Sequence, residues 1–158
     1  MGSSTDNTLT INAEKDQTAS VTLSGVNIDV SGMYDKAAVS TKGEGNVSIE
    51  LNGDSTLKSG EKHAGLEKNN GGRLTIADED KNGKLTAEGG LNGAGIGGGN
   101  QRDGSNIIIT GGEVTAIGGE FGAGIGGGLQ GKGKDITVSG AAKLKVQGGV
   151  EDDVDGAG

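Results

Sequence analysis

The stretch DEDKNG, Asp78 to Gly83, has the D-x-D-x-N-G spacing with which calcium-binding loops open. Oxygens of Asp78, Asp80 and Asn82 are hard donors, and a glycine at the sixth position supplies the sharp turn that lets them converge on a cation. The remainder of a helix–loop–helix calcium site is not there. Its twelfth position, which calls for a bidentate glutamate, is Gly89, with Glu88 one residue early. What remains is a calcium turn between two strands with Asp78, Asp80 and Asn82 as its ligands. The competing reading is an acidic, solvated turn made by the same residues.

Catalytic constellations are sparse. His63 is the single histidine, so a Ser-His-Asp arrangement has one possible centre. With no cysteine, thiolate nucleophiles, thiolate metal sites and disulfides are excluded. Glycoside hydrolysis needs two carboxyl groups about 5–9.5 Å apart. Glu50 with Asp78 or Asp80 is a pair that stacked strands can bring together, as any acidic stack can. A polysaccharide lyase that joins calcium to a basic residue would draw on Arg73 or Arg102, the only arginines. No set is complete, and the chain reads as a non-enzyme requiring no cofactor, with calcium as the one ion its motifs suggest. The only aromatic side chains, Tyr34 and Phe121, fall near turns and are the candidate ligand-binding residues, as platforms for a sugar ring.

Gly93, Gly95 and Gly98 satisfy G-x-G-x-x-G formally, yet a dinucleotide site needs a strand before the glycines and a helix after them. Neither is in the pattern, and the same seven residues, GAGIGGG, stand at 93–99 and again at 122–128. An exact copy 29 residues on speaks for architecture, because glycine permits close backbone approach and positive φ at corners. On that reading Gly95→Val or Gly124→Val should destabilise strongly, and Gly104→Ser, in a turn, should cost little.

Composition narrows the partners. A net charge of −8 without a basic stripe argues against nucleic acid. No run approaches the roughly 18 apolar residues of a membrane span, so no membrane insertion is expected. The first 20 residues are too polar for a signal peptide, and Asp6 replaces the Ser or Thr of a myristoylation signal. An exported protein would carry its signal outside this sequence. Glycine contributes 35 of the 158 residues against a usual share of about 7%. Such a chain cannot fill a large core with bulky side chains. Proline is nevertheless absent and Val, Ile and Leu recur in regular groups, which favours order over disorder.

Those groups come three to a pass. The first runs Val21/Leu23, Val47/Ile49, Leu74/Ile76, Ile107/Ile109, Ile136/Val138. The second runs Ile28/Val30, Leu57, Leu85/Ala87, Val114/Ala116, Leu144/Val146. The third runs Val39, Leu66, Ile96, Ile125. Most alternate apolar with polar residues, the period of a strand with one buried face, and Gly, Asn, Asp and Ser fill the intervals. Equivalent positions lie 26–33 residues apart. The expected fold is all-β: a parallel β-helix, a three-faced β-solenoid of about five coils, with strands stacked about 4.8 Å apart. Right-handed coiling follows from the chirality of parallel crossovers. Residues 1–19 are read as a leader with a capping strand at Leu9 and Ile11, 20–149 as the solenoid, and 150–158 as an acidic end that solvates the last coil.

The segment IIITGGEVTAIGGEFGAGIGGG at 107–128, with VNIDVSG at 26–32, STLKSG at 55–60 and HAGLE at 63–67 leading into it, resembles a group of repeat-containing surface proteins of anaerobic, gut-type bacteria. Their units take the form ITGGxVTAxGG followed by GAGIGGG, and the resemblance covers about residues 20–149. It implies a right-handed parallel β-helix on an exported protein, extracellular or cell-wall attached, serving as a structural spacer or adhesin scaffold within a larger surface protein. By analogy it also points to a glycan-binding module, calcium-assisted, whose partner would be an extracellular polysaccharide or a host or cell-surface glycan, and more distantly to a small polysaccharide-active enzyme.

Overall fold

A computed structural model describes residues 3–149, and the acidic end expected at 150–158 lies outside the described residues. The described chain forms fourteen strands and no helix, so no helix among these residues is long and apolar enough to cross a membrane. The strands are β1 Leu9–Asn12, β2 Thr18–Ser24, β3 Asn27–Asp29, β4 Val39–Lys42, β5 Asn46–Lys58, β6 Leu66–Glu67, β7 Leu74–Ala77, β8 Gly83–Glu88, β9 Ile96–Gly97, β10 Gly104–Ile109, β11 Glu113–Ile117, β12 Ile125–Gly126, β13 Gly133–Val138 and β14 Lys143–Gln147.

They make three faces of a parallel β-solenoid of about five turns. The first face stacks β2, the start of β5, β7, β10 and β13; the second stacks β3, the end of β5, β8, β11 and β14; the third stacks β1, β4, β6, β9 and β12. Every ladder between these strands is parallel. The thirteen-residue β5 turns the corner between the first two faces without a break, which joins them into one nine-stranded sheet. β1, expected as a cap, is the first strand of the third face, with Leu9 beside Val39 and Ile11 beside Thr41.

The core is a set of vertical aliphatic columns. Ile49, Ile76 and Ile109 stand one above another at 0% exposure, as do Leu66 and Ile96. The third-face run Val39, Leu66, Ile96, Ile125 stacks in the expected register. The early passes do not. Val21 lies beside Ile49 and Leu23 beside Leu51, two residues further along than the sequence alignment placed them. On the second face Ile28 and Leu57 fall in the column of Ala87, while Ser55 occupies the place of Leu85 one coil on. Ser55 is buried there because its hydroxyl accepts the Val26 amide at 3.1 Å, which satisfies a polar group inside an apolar column. In the last described coil Val138 and Val146 are 48% and 44% exposed, although Ile109 and Ala116 beside them are 0% exposed. No described residue covers them.

The GAGIGGG copies form the third face and its corners. Ala94 N–H donates to Gly98 and Ala123 N–H to Gly127, so each copy folds back on itself, and the lower copy hydrogen-bonds to the upper through Gly95, Ile96 and Gly98 N–H. Gly97 and Gly126 take φ of +134° and +144°, where a side chain is strained. Gly104 departs from its expected role. It is not a permissive turn residue but the buried first residue of β10, and a Cβ there would land on the Gly126 carbonyl. Gly104→Ser should therefore cost about 3 kcal/mol, the upper end of overpacking, because the atoms it meets are all backbone. A urea midpoint equal to that of the parent protein would contradict this placement.

Candidate functional site

Register along the third face shows where this solenoid departs from its own repeat. β6 pairs with β9 through Leu66 and Ile96, and β9 with β12 through Ile96 and Ile125. HAGLEKNN at 63–70 thus stacks on GAGIGGGN at 93–100. His63, Glu67, Lys68 and Asn69 fill slots that are glycine in both later copies. The preceding pass also carries side chains here, Ser40, Thr41 and Lys42, so the minimal glycine form belongs to the two later copies.

His63 is held between two carboxylates. Its Nδ1 lies 2.7 Å from Glu67 Oε2 and its Nε2 lies 2.8 Å from Asp35 Oδ1. Asp35 belongs to the preceding pass, so the imidazole ties two coils together. The Glu67 side chain is 5% exposed; its carboxylate also accepts Ala64 N–H at 3.0 Å and Asn69 Nδ2–H at 2.8 Å. Space for it comes from Gly99 in the pass above, whose added Cβ would lie 2.8 Å from Glu67 Oε2. With both ring nitrogens engaged, His63 acts as a clamp between passes and offers no free nitrogen to a hydroxyl nucleophile.

The electrostatics follow from this geometry. The hydrogen bond to Glu67 raises the His63 pKa above 6.5, partial burial opposes it, and the bond to Asp35 adds to the rise. Burial pushes Glu67 up, but the bonds from His63, Asn69 and Ala64 outweigh it and hold the carboxyl below its ordinary value. Asp35, fully exposed, is lowered by its hydrogen bond to His63. A raised histidine pKa contributes stability that is complete below the unfolded value near 6.5 and is lost as pH rises through the folded value. The lowered carboxylates contribute above their unfolded values near 4 and lose it as pH falls through their folded ones. His63→Gln should therefore cost most melting temperature between about pH 5 and 6.5, and less on the alkaline side of the folded histidine pKa. A difference that stays constant from pH 5 to 9 would show that His63 is not clamped as an imidazolium.

Beside the clamp lies a buried polar knot. Thr41 Oγ1 donates to Asn70 Oδ1 at 2.7 Å and accepts Asn69 and Asn70 N–H, while Asn70 Nδ2 donates to the carbonyls of Gly45 and Arg73. Lys68 is 8% exposed and its ammonium donates to the Asn70 carbonyl at 2.7 Å. Burial lowers its pKa.

The residues singled out from sequence lie elsewhere. Tyr34 and Phe121 share the corner between the second and third faces: Lys62 N–H donates to the Tyr34 carbonyl, and Phe121 N–H to that of Leu91. Three coil steps separate the two aromatics, roughly 14 Å. Tyr34 is 56% exposed with Lys62 Nζ 4.9 Å from its ring centroid, whereas Phe121 is half-buried. Asp78 uses its carboxylate to hold its own turn, accepting Asn82 N–H at 3.2 Å and Gly83 N–H at 2.8 Å. Asn82 extends sideways into a ladder, Nδ2 donating to Asn52 Oδ1, and Asn52 in turn to Ser24. Asp80 is exposed. Among the described residues no group of three or more His, Cys, Asp or Glu is placed to hold a metal ion. Glu50 caps the Glu79 amide at 2.6 Å. Sequence reading picked out His63 but missed Asp35, Glu67 and Lys68. The available signal was charge in slots that the two GAGIGGG copies fill with glycine.

A family model described as a beta helix repeat matches residues 81–100 and again 107–129, the two coils that carry GAGIGGG. The pass with His63, Glu67 and Lys68 lies outside both matched stretches. No curated protein and no solved structure matches the chain.

Proposed function

We propose that this solenoid is a non-enzymatic spacer and adhesin scaffold of an exported surface protein. One observation carries the reading: successive passes hydrogen-bond in register along all three faces, around columns of aliphatic side chains that are closed to solvent through the middle coils. A stack of five passes spans roughly 20 Å along its axis, and extending it means breaking backbone ladders coil by coil. Single-molecule pulling with handles at the two ends tests this. Discrete releases of one coil each are expected, and smooth elongation at low force would sink the spacer reading.

A second reading, an extracellular glycan-binding module, is favoured by the exposed Tyr34 ring with Lys62 against it and by Leu91, 40% exposed, further along the same corner. A glycan array run with and without calcium should show one polysaccharide class bound by the parent and lost in Tyr34→Ala. Uniform silence in both conditions would remove this reading and leave the spacer standing.

A further inference from the structure

At the corner leading from the third face to the first, an open cleft of about 380 Å³ lies among Lys68, Asn69, Gln101, Arg102, Asp103 and Ser105. Lys68 and Arg102 bring two positive charges and Asp103 one negative charge, which leaves +1 on a chain whose net charge is −8. One Asp103 oxygen is already engaged, accepting Lys132 N–H at 2.8 Å. Glu67, close by, is matched by His63. Arg102 is exposed and makes no ion pair among the described residues.

Lys68 is the unusual member. An ammonium has three N–H donors, and the Asn70 carbonyl is the one acceptor that the described residues provide. It is also removed from water without a countercharge, a costly state that an anion would offset. A smaller cleft of about 240 Å³ at another corner lacks a buried ammonium: its Lys81, Lys84 and Lys143 are all exposed to water, and Lys84 meets Glu113 at 3.4 Å.

We infer that the Lys68–Arg102 cleft binds a hydroxylated monocarboxylate, such as a uronic acid unit. The charge count sets the valence: one carboxylate neutralises the cleft, whereas a phosphate dianion would leave excess negative charge on an acidic chain. The Arg102 guanidinium accepts a carboxylate edge on two parallel N–H bonds. Carboxamides of Asn69 and Gln101 and the hydroxyl of Ser105 are neutral partners for sugar hydroxyls. The site is on a different corner from Tyr34, so failure of the glycan array reading at Tyr34 leaves this inference intact.

Titration of isotope-labelled protein, followed by NMR, tests it with four probes: galacturonate, a short galacturonate oligomer, galactose and inorganic phosphate. Galacturonate should shift the resonances of Lys68, Arg102 and Ser105 with millimolar affinity, while galactose leaves them still. Arg102→Gln, at an exposed position that should not disturb folding, should weaken binding about tenfold, as loss of a charge-assisted hydrogen bond does. Lys68→Met should do the same if it folds. Tighter binding of the oligomer would identify a polymer as the source of the carboxylate, and equal binding per unit a free acid. No shift at tens of millimolar galacturonate, an equal response to galactose, or stronger binding of phosphate would each overturn the inference.

Discussion

Gly95→Val is expected to be among the most damaging single changes in this protein, costing about 4 kcal/mol or more. Gly95 is buried, and its N–H and C=O are both committed, to Ala123 above and Leu66 below. A Cβ there would lie 2.5 Å from Ile117 N, 2.7 Å from Gly124 O and 2.9 Å from Ala116 C. All three are backbone atoms of paired strands or of the next glycine frame, so none can swing aside as a side chain would. Ordinary overpacking costs about 1–3 kcal/mol because neighbours relax. Here relaxation means opening a ladder. Gly124→Val should cost less, because its tightest contact is the Val146 side chain, which is 44% exposed and can turn away, and its backbone contacts, to Gln147 N and O, are both at 2.9 Å. Thermal melts of the two variants decide the point, and a Gly95→Val melting temperature within a few degrees of the parent would refute the backbone-locked account.

Ile76→Ala comes second. Ile76 is 0% exposed and sits between Ile49 and Ile109, each also at 0%. Removing its outer carbons leaves a void that neither neighbour can enter without leaving its own column, so a loss of about 3–4 kcal/mol is expected, within the range for buried Ile-to-Ala changes. Val138→Ala tests the same column at its open end. At 48% exposure it should cost less than about 1 kcal/mol. Chemical denaturation of both variants should show the contrast, and equal midpoints would mean that the columns are not the seat of stability.

Period-two alternation made the faces legible, and the single inward residue of the third face made Val39, Leu66, Ile96 and Ile125 unambiguous. The first passes were misaligned by two residues for a physical reason. A one-residue slip turns every side chain to the wrong face and is visible in the pattern, but a two-residue slip leaves every face intact. Leu23 and Leu51, a third inward pair on the first face, tipped the alignment. At the candidate site, His63 stood out as the only histidine, yet its partner Asp35 is 28 residues away and meets it through turn geometry that no spacing rule encodes. DEDKNG was ambiguous from the start, since the oxygens that could ligate a cation are those that cap a turn, and Asp78 caps one. Gly104 looked dispensable because its neighbours are polar, and the close approach of Gly126 is a property of the stack.

The space above Glu67 sets a rule for how such a chain can diversify. Glu67 reaches its partners because Gly99, one storey higher, has no side chain to contest the volume. Decoration at this corner is therefore conditional: a carboxylate that reaches upward needs a blank above it, whereas the smaller Ser40 stacks on Glu67 in the same column without one. Gly99→Ala is the smallest change that would set two storeys in competition for one place.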